Sequence, residues 1–293
     1  MFKGSIVALV TPFGENGEID FAALEALVSF QLEAGTDALV IGGTTGESAT
    51  LRAGELDTLL QAVVRQVKGR VPVIAGTGAA ATDRAIENTL RAAEQGADAA
   101  LVVTPYYNRP TQHGLIAHFR AIADKSEIPL VLYNVPSRTA VDMLPHTVES
   151  LVSHQRIVAV KEAVSKPGRI EELVRICAGN AVVLSGDDQS CLSAMRHGAE
   201  GVISVAANVA PGPLGMLCQA ASRGDWQAAE AEDARLRKLF DLLMIETNPI
   251  PVKWALHEMS LCSFHVRLPL TPLSAIHREA LGHCLAEVGA KSS

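Results

Sequence analysis

Residues 157–163 read IVAVKEA, an apolar run that is followed at once by a lysine. A short apolar run without alternation, rich in β-branched residues, is typical of a parallel strand that is buried on both faces. An ammonium group is costly in such a setting, so Lys161 is a candidate for a neutral, nucleophilic amine that forms a Schiff base with a carbonyl substrate. The simpler interpretation is a strand-end lysine whose stem covers the core while its head reaches water.

Seven further runs of this kind recur along the chain. They cover residues 6–10, 38–41, 71–75, 99–103, 130–133, 182–185 and 201–204. Segments with helical periodicity lie between most of them, for example 21–33, 52–67, 82–95 and 111–123. Eight strand–helix units of this size favour a (β/α)8 TIM barrel over an open doubly wound sheet.

The pattern changes after about residue 225, where the strand-like runs stop. Residues 226–246 and the segment from Pro251 onward have helical patterns, and the proline-rich NPIP at 248–251 separates them. We therefore predict a catalytic barrel domain over residues 1–225 and a C-terminal helical extension over residues 226–293.

Composition excludes several classes of protein. Hydrophobic residues make up 48% of the 293 residues and charged residues 19%, which is typical of a globular protein with a large core. The net charge of −7 and the absence of a dense Lys/Arg block argue against nucleic-acid binding. No apolar run approaches the roughly 20 residues of a membrane span, so we predict a cytoplasmic protein that does not contact membranes. The five cysteines and nine histidines lack metal-ligand spacing, and we predict no disulfide framework and no metal.

Chemistry-bearing residues follow the predicted strands. In a TIM barrel the active site lies at the carboxyl ends of the strands. The segments there are GGTTGES at 42–48, TPYYN at 104–108, YNVPSRT at 133–139, KE at 161–162 and GDD at 186–188. Glycines let the backbone approach a ligand, hydroxyl groups relay protons, and an arginine binds an anion.

Each of these segments also has a purely structural interpretation. The turn at 42–48 can form a nest of N–H groups for a small carboxylate, or it can be a tight strand-to-helix turn. It lacks the lysine of a P-loop and the glycine order of a dinucleotide site. Tyr133 can shuttle protons beside a Schiff-base lysine or simply pack in the core. Arg138 follows Pro136 and can bind a carboxylate, or it can be a surface arginine.

Seven motifs together resemble one enzyme family, that of dihydrodipicolinate synthase (4-hydroxy-tetrahydrodipicolinate synthase), a pyruvate-dependent Schiff-base aldolase. The motifs are GTTGESATL at 43–51, VIAGTG at 73–78, VTPYYN at 103–108, YNVPSRT at 133–139, KEA at 161–163, SGDD at 185–188 and NPIPVKW at 248–254. The resemblance runs from Gly4 to Pro272, nearly the whole chain, and taken together the motifs are highly specific.

The resemblance implies a (β/α)8 barrel with a C-terminal helical extension. It also implies a lyase that condenses pyruvate with L-aspartate 4-semialdehyde, in the first committed step of diaminopimelate and lysine biosynthesis. Imine formation turns the methyl group of pyruvate into an enamine nucleophile, so no external cofactor is needed.

The resemblance also assigns residue roles. Lys161 forms the imine, and Tyr133, Thr44 and Tyr107 relay protons, with Tyr107 reaching in from a neighbouring subunit. The substrate-binding positions are Thr45 for the carboxylate of pyruvate, Arg138 for that of the semialdehyde, Gly186, and the backbone carbonyl of Ile203. The action of Tyr107 across an interface requires at least a dimer, and the family suggests a homotetramer built as a dimer of dimers.

One group of positions departs from the family. In many relatives L-lysine inhibits by binding near the positions of Ser48, Ala49 and Tyr106, which this chain retains. This chain has Ala53 and Leu56 where relatives carry polar residues such as histidine, Ala80 where they carry asparagine, and Arg84 where they carry an acid. Because a cation replaces the acid that pairs with the ammonium of lysine, we predict weak or absent feedback inhibition. A smaller departure, AVS at 163–165, is expected to be tolerated.

Two alternatives remain open at the level of sequence. Another pyruvate-dependent aldolase, such as an N-acetylneuraminate or 2-keto-3-deoxy-sugar-acid lyase, shares the lysine and the tyrosine. Arg138 and the Tyr106-Tyr107 pair favour the synthase. A non-catalytic barrel that binds a keto acid is the second alternative, but binding alone does not require the nucleophile.

Overall fold

The computed structural model describes residues 2–290, whose eight strands form one closed parallel barrel. The strands are β1 (Gly4–Ala8), β2 (Ala38–Ile41), β3 (Val73–Gly76), β4 (Ala99–Val103), β5 (Leu130–Asn134), β6 (Ile157–Glu162), β7 (Val182–Ser185) and β8 (Gly201–Ser204). Each strand pairs with the next along the chain, and β8 pairs with β1 to close the ring. The predicted TIM barrel is confirmed, and the open sheet is excluded.

Strand β1 lies two residues earlier than predicted, and three strands, β3, β5 and β6, extend beyond their predicted ends. The sequence placed the ends of β5 and β6 at Tyr133 and Val160, whereas the strands continue to Asn134 and Glu162. The added residues pair in register, Tyr133 with Lys161 and Asn134 with Glu162. Lys161 therefore lies inside a strand rather than after it. The hydrogen-bond ladder, which apolar character alone cannot reveal, sets this boundary.

Helices cover the outside of the barrel. They are α1 (Phe21–Glu33), α2 (Glu55–Val67), α3 (Thr82–Glu94), α4 (Gln112–Lys125), α5 (Pro136–Thr139), α6 (Pro145–Glu149), α7 (Arg169–Cys177), α8 (Cys191–Arg196) and α9 (Pro211–Ser222). Side chains such as Ile6, Val40, Ile74 and Leu184 fill the barrel interior in a separate cluster. This packed interior closes the barrel from below and leaves its mouth for the site.

One helix boundary needs correction, and the structure adds one short helix. The second helix begins at Glu55 rather than Arg52, because Gly54 has a φ of +83° and interrupts the helical path. Residues 136–139, which the sequence places directly after a predicted strand, form the one-turn helix α5. Pro136 occupies the first position of that helix, where the missing N–H has no cost.

The C-terminal extension consists of α10 (Trp226–Leu243), α11 (Ile250–Glu258) and α12 (Ala275–Glu287). Leu236 and Phe240 of α10 and Trp254 of α11 belong to the same hydrophobic cluster as Leu214 and Leu217 of α9. The extension therefore packs directly on the barrel. The division into residues 1–225 and 226–293 stays a prediction, and residues 1 and 291–293 of that division lie outside the described part of the chain.

Candidate active site

A cavity of about 120 Å³ opens at the carboxyl ends of the strands. Its lining comes from seven of the eight strands or the turns that follow them, and from the C-terminal extension. The residues that line it are Ala8, Val40, Gly43, Thr44, Thr45, Leu101, Tyr133, Val135, Ser137, Arg138, Lys161, Ala163, Gly186, Asp187, Asp188, Gln189, Val205, Met244 and Asn248. The cavity lies where a barrel of this kind holds its active site.

Lys161 and Tyr133 form the inner wall of this cavity. They are direct neighbours across β5 and β6, and each is only 6% exposed. The Nζ atom of Lys161 lies 4.2 Å from the centroid of the Tyr133 ring. Within residues 2–290, Lys161 has neither a hydrogen bond nor a salt bridge from its side chain. The site therefore presents a buried amine without a counter-ion, next to a phenol.

The turn after β2 carries Thr44 and Thr45 into the cavity. Gly42 has a φ of +65°, a conformation that side chains rarely adopt. A Cβ atom on Gly76 would lie 2.1 Å from the carbonyl oxygen of Gly42, so β3 must carry a glycine there. The hydroxyl of Thr45 accepts a hydrogen bond of 3.0 Å from Nδ2 of Asn248. Close backbone packing thus fixes the turn that carries both threonines, and the C-terminal extension holds Thr45.

A buried ion pair lies directly behind this turn. Glu47 has a φ of +55°, which is uncommon for a residue other than glycine. Its Oε1 atom lies 2.5 Å from Nζ of Lys253, and neither side chain is exposed. The Oε2 atom accepts a hydrogen bond of 3.0 Å from the backbone N–H of Arg267. Burial lowers the pKa of Lys253, although Glu47 opposes this shift. Sequence analysis missed this pair, whose members are 206 residues apart.

Arg138 and Asn248 form the rim of the cavity. Arg138 lies on α5 and is exposed, and its Nη2 donates to the backbone carbonyl of Asn248 at 3.4 Å. Asn248 is 6% exposed, and its Oδ1 atom is buried without a hydrogen-bond partner in the described chain. Sequence analysis gave Asn248 no role of its own. Its position within NPIPVKW was the only signal, and that signal indicates a turn rather than a site.

The β7 side of the cavity is narrow. A Cβ atom on Gly186 would lie 3.0 Å from Cβ of Ala163, so a larger residue would crowd the wall beside Lys161. Asp188 lies deeper, and its Oδ2 accepts hydrogen bonds from the backbone N–H groups of Val205 and Ala206 at 3.0 and 2.8 Å. Burial raises the pKa of Asp188. This carboxyl group therefore holds the loop after β8 through its Oδ2 atom.

Two predicted site residues lie elsewhere in the single chain. Tyr107 is 95% exposed, has a φ of +73° and does not line the cavity. Ile203 lies on β8 with its side chain in the barrel interior and is not part of the cavity lining, and the role predicted for its backbone carbonyl is untested by the position of its side chain. The structure thus brings together Lys161, Tyr133 and Thr44 among the predicted catalytic residues. The roles predicted for all of these residues stay predictions.

A second cavity, of about 370 Å³, lies on the far side of the β2 turn. Five of the seven residues predicted for lysine binding line it: Ser48, Ala53, Leu56, Arg84 and Tyr106. Ala49 and Ala80 are described but do not line it. Its charged lining consists of Arg52, Arg84, Arg91 and Asp57, and Asp57 is already paired with Arg91. No unpaired carboxylate of the described chain faces this cavity.

A small space of about 40 Å³ lies between the two cavities. Thr44 and Tyr133 line both this space and the main cavity, whereas Ser48, Gly42 and Gly76 line both this space and the second cavity. Residues of the β2 turn and of the end of β3 therefore lie between the two cavities.

Two further observations bear on the class of protein. Within residues 2–290, no three His, Cys, Asp or Glu side chains are grouped so as to hold a metal ion. In the same part of the chain, no helix has the length and apolar character needed to cross a bilayer.

The chain is similar to known proteins over nearly its full length. Residues 1–288 match the Dihydrodipicolinate synthetase family. A 4-hydroxy-tetrahydrodipicolinate synthase from Acidithiobacillus ferrooxidans is 53% identical over 285 residues, which are 97% of this chain and 98% of the relative.

Solved structures agree with this similarity. The chloride-inhibited dihydrodipicolinate synthase from Acinetobacter baumannii, complexed with pyruvate, is 46% identical with a TM-score of 0.97, covering 99% of this chain and 100% of the other. The enzyme from Cyanidioschyzon merolae with lysine bound is 37% identical with a TM-score of 0.95, covering 99% of both chains.

Proposed function

Because this chain belongs to the dihydrodipicolinate synthetase family, we propose that Lys161 forms the imine through which it joins pyruvate to L-aspartate 4-semialdehyde. The activity is that of a 4-hydroxy-tetrahydrodipicolinate synthase, a lyase of diaminopimelate and lysine biosynthesis. The observation that carries the mechanism is the buried amine of Lys161, which faces a cavity without a counter-ion beside the Tyr133 ring.

The reaction begins with attack of the Lys161 amine on the keto carbon of pyruvate. The resulting carbinolamine loses water to give an iminium ion, which withdraws electrons and acidifies the neighbouring methyl group. Loss of a methyl proton gives an enamine, whose carbon attacks the aldehyde of the semialdehyde. The amino group of the second substrate then displaces Lys161 from the imine carbon, which closes the ring and restores the free amine.

Proton transfers in these steps are assigned to Tyr133, Thr44 and Tyr107. Tyr133 is supported by its position next to Lys161, and Thr44 by its place in both the main cavity and the small space beside it. Tyr107 is exposed on its own chain, and we propose that it serves the cavity of a second copy. A positioned proton donor of this kind contributes about 10²- to 10⁴-fold to the rate.

Substrate carboxylates are assigned to two places. The turn with Thr45 holds the carboxylate of pyruvate, supported by the packing of Gly42 against Gly76 that fixes this turn. Arg138 at the rim binds the carboxylate of the semialdehyde, because its guanidinium can form two parallel hydrogen bonds with it. Gly186 keeps the opposite wall open, and the carbonyl of Ile203 faces the second substrate.

The assembly follows from the role of Tyr107. At least a dimer is required if Tyr107 acts on the neighbouring cavity, and a tetramer of two such dimers is the proposed form. The protein acts in the cytoplasm, in agreement with five buried cysteines that are all unpaired.

Inhibition by L-lysine is proposed to be weak or absent. The second cavity carries three arginines and one aspartate, and the aspartate is neutralised by Arg91. Arg52 and Arg84 are themselves paired, with Glu18 and Glu87. An ammonium ion that enters therefore finds no unpaired carboxylate, which disfavours its binding.

Borohydride trapping tests the mechanism. The protein is treated with pyruvate and sodium borohydride, and the intact mass and peptide map are measured. We expect a reduced covalent adduct on Lys161, together with turnover of pyruvate and aspartate semialdehyde but not of sugar acids. Absence of an adduct on Lys161 contradicts the proposal.

A further inference from the structure

A polar cluster lies behind the catalytic strands, on the outer face of the barrel wall. Successive residues of a strand point to opposite faces. Tyr133 and Lys161 face the interior, so Asn134 and Glu162, the next residue on each strand, face outward. Asn134 and Glu162 are paired in register just as Tyr133 and Lys161 are. Tyr133 and Lys161 (the reacting pair) and Asn134 and Glu162 (the outer pair) therefore occupy adjacent positions of the same ladder, on opposite faces of the barrel wall.

The outer pair is joined by side-chain hydrogen bonds. Nδ2 of Asn134 donates to both carboxylate oxygens of Glu162 at 3.1 Å. Oε1 of Glu162 also accepts from the backbone N–H of Val164 at 2.9 Å. The amide of Asn134 is anchored in turn, because its Oδ1 accepts from the N–H of Met143 at 2.9 Å. The bonds leave neither side chain free to rotate.

An arginine and a second carboxylate complete the cluster. Arg169 on α7 binds Asp142 through two hydrogen bonds of 2.5 and 3.1 Å, and its Nη1 lies 3.5 Å from Oε2 of Glu162. Asp142 also accepts from Nδ2 of Asn134 at 2.8 Å. The side chains of Glu162 and Arg169 are 0% and 6% exposed. A buried charged cluster contributes little to stability compared with apolar packing. Its hydrogen bonds nevertheless fix the orientation of the side chains that make them.

We propose that Glu162 and Asn134 are positioning residues of the reaction, which hold Lys161 and Tyr133 in register through a hydrogen-bonded pair on the opposite face of the barrel wall. The inference rests on the proposed function of Lys161. Glu162 does not touch the reacting atoms, and its effect passes through the two strands. Small displacements of reacting groups have large kinetic effects, so loosening this pair slows imine formation more than it weakens pyruvate binding.

The cluster also makes the alignment depend on pH. Burial raises the pKa of Glu162 to about 7, against the hydrogen bonds from Asn134 and Val164 and the charge of Arg169. Within the described chain, the other charged groups that act on the cluster are Lys166, in the loop after β6, and Glu172 on α7. Ionised Glu162 accepts from Asn134 and Val164 and faces the guanidinium group of Arg169. Protonated Glu162 brings an O–H group among donors, so the outer pair loosens as the pH falls through about 7.

The variant Glu162→Gln tests this inference, because its amide copies the protonated state at every pH. We expect its rate of imine formation at pH 8 to be about tenfold lower than that of the unchanged protein, with a similar KM for pyruvate. We also expect it to lack the inflection near pH 7. The exposed Glu149→Gln at the end of α6 is the matched control and should leave both properties unchanged.

Two further measurements separate the possible outcomes. If the unchanged protein gives no borohydride adduct on Lys161, the proposed function fails. If it gives the adduct and Glu162→Gln keeps the original rate and pH profile, only the present inference fails. Should Glu162→Gln not fold, Asn134→Ser decides the matter: a lower imine-formation rate with unchanged KM supports the inference, and an unchanged rate overturns it.

Discussion

Lys161 and Lys253 are both buried lysines, yet their surroundings are opposite. Lys253 is fully buried, lies 2.5 Å from Glu47 and donates to the carbonyl of His265 at 2.6 Å. Lys161 is 6% exposed and faces a cavity, and its side chain has no hydrogen bond or ion pair within the described chain. Each of the two lysines lies over an aromatic ring, Tyr133 for Lys161 and Phe13 for Lys253. Burial alone therefore does not identify a nucleophile. The presence of a carboxylate separates a structural ammonium ion from an amine that is free to react.

The two lysines also have different roles in the structure. Lys253 ties α11 to Glu47, directly after the turn that carries Thr44 and Thr45. Arg267 reinforces this connection through Glu55 at 2.6 Å. In the proposed mechanism Lys161 bonds to the substrate, whereas Lys253 keeps the turn that receives the substrate in its uncommon conformation. Substitutions at the two positions should therefore affect different measurements.

The largest expected effect follows from Lys161→Ala. Without the amine no imine can form, so the condensation rate should fall by about 10⁴-fold or more. Folding should persist, because the substitution leaves no buried charge unpaired. Steady-state kinetics and thermal unfolding measure the two properties, with the exposed Lys125→Ala of α4 as the control. Retention of the original condensation rate by Lys161→Ala would contradict the whole mechanism.

The next effect concerns Lys253→Met, which keeps the length of the side chain but removes its charge. Glu47 is then buried without a partner, which should lower the free energy of unfolding by about 3–5 kcal/mol. Urea unfolding measures the loss. The exposed Lys238→Met, whose partner Glu287 lies at the surface, should change it little. The double variant Lys253→Met/Glu47→Gln should regain most of the stability; if it regains none, the unpaired charge is not the cause.

A smaller effect is expected for Tyr133→Phe, which keeps the ring beside Lys161 and removes only the hydroxyl. The condensation rate should fall by about 10²-fold, because a positioned proton donor is lost. Unfolding in urea should stay close to that of the unchanged protein. If the phenylalanine variant turns over at the original rate, Tyr133 is a packing residue and Lys161 is served by another proton donor.

The smallest effect is expected for the binding of free L-lysine to the second cavity. The ammonium group of Lys253 is stabilised by the carboxylate of Glu47. The second cavity offers no unpaired carboxylate to an ammonium group. Millimolar L-lysine should therefore leave the steady-state rate nearly unchanged. Arg84→Glu, which supplies a carboxylate at the cavity, should increase inhibition. Inhibition of the unchanged protein at micromolar L-lysine would contradict this expectation.

The sequence alone was sufficient to predict the barrel and the end of the barrel at which the site lies. Short apolar runs alternate with amphipathic segments, and only a few architectures bury both. Strand β2 was predicted with its observed bounds, whereas β3 begins two residues late because Pro72 has no N–H to donate to the ladder. Polar residues directly after apolar runs had to gather at one end of the barrel. That rule predicted Lys161, Tyr133 and Arg138 as neighbours.

The sequence could not reveal which side chains meet across long separations. Asn248 reaches Thr45 across 203 residues, and Lys253 reaches Glu47 across 206. The outer pair of Asn134 and Glu162 depends on a one-residue extension of β5 and a two-residue extension of β6. Only the register of the ladder creates that pair. None of these contacts has a local pattern that could be recognised along the chain.

Local patterns determined where the chain forms strands and helices and which end of the barrel carries the chemistry, because hydrophobic periodicity and strand direction are properties of short segments. Tertiary structure decided which of the two buried lysines meets a carboxylate, and which polar residues of the C-terminal extension complete the cavity. Electrostatic pairing depends on distances between atoms, and those distances exist only after the chain has folded.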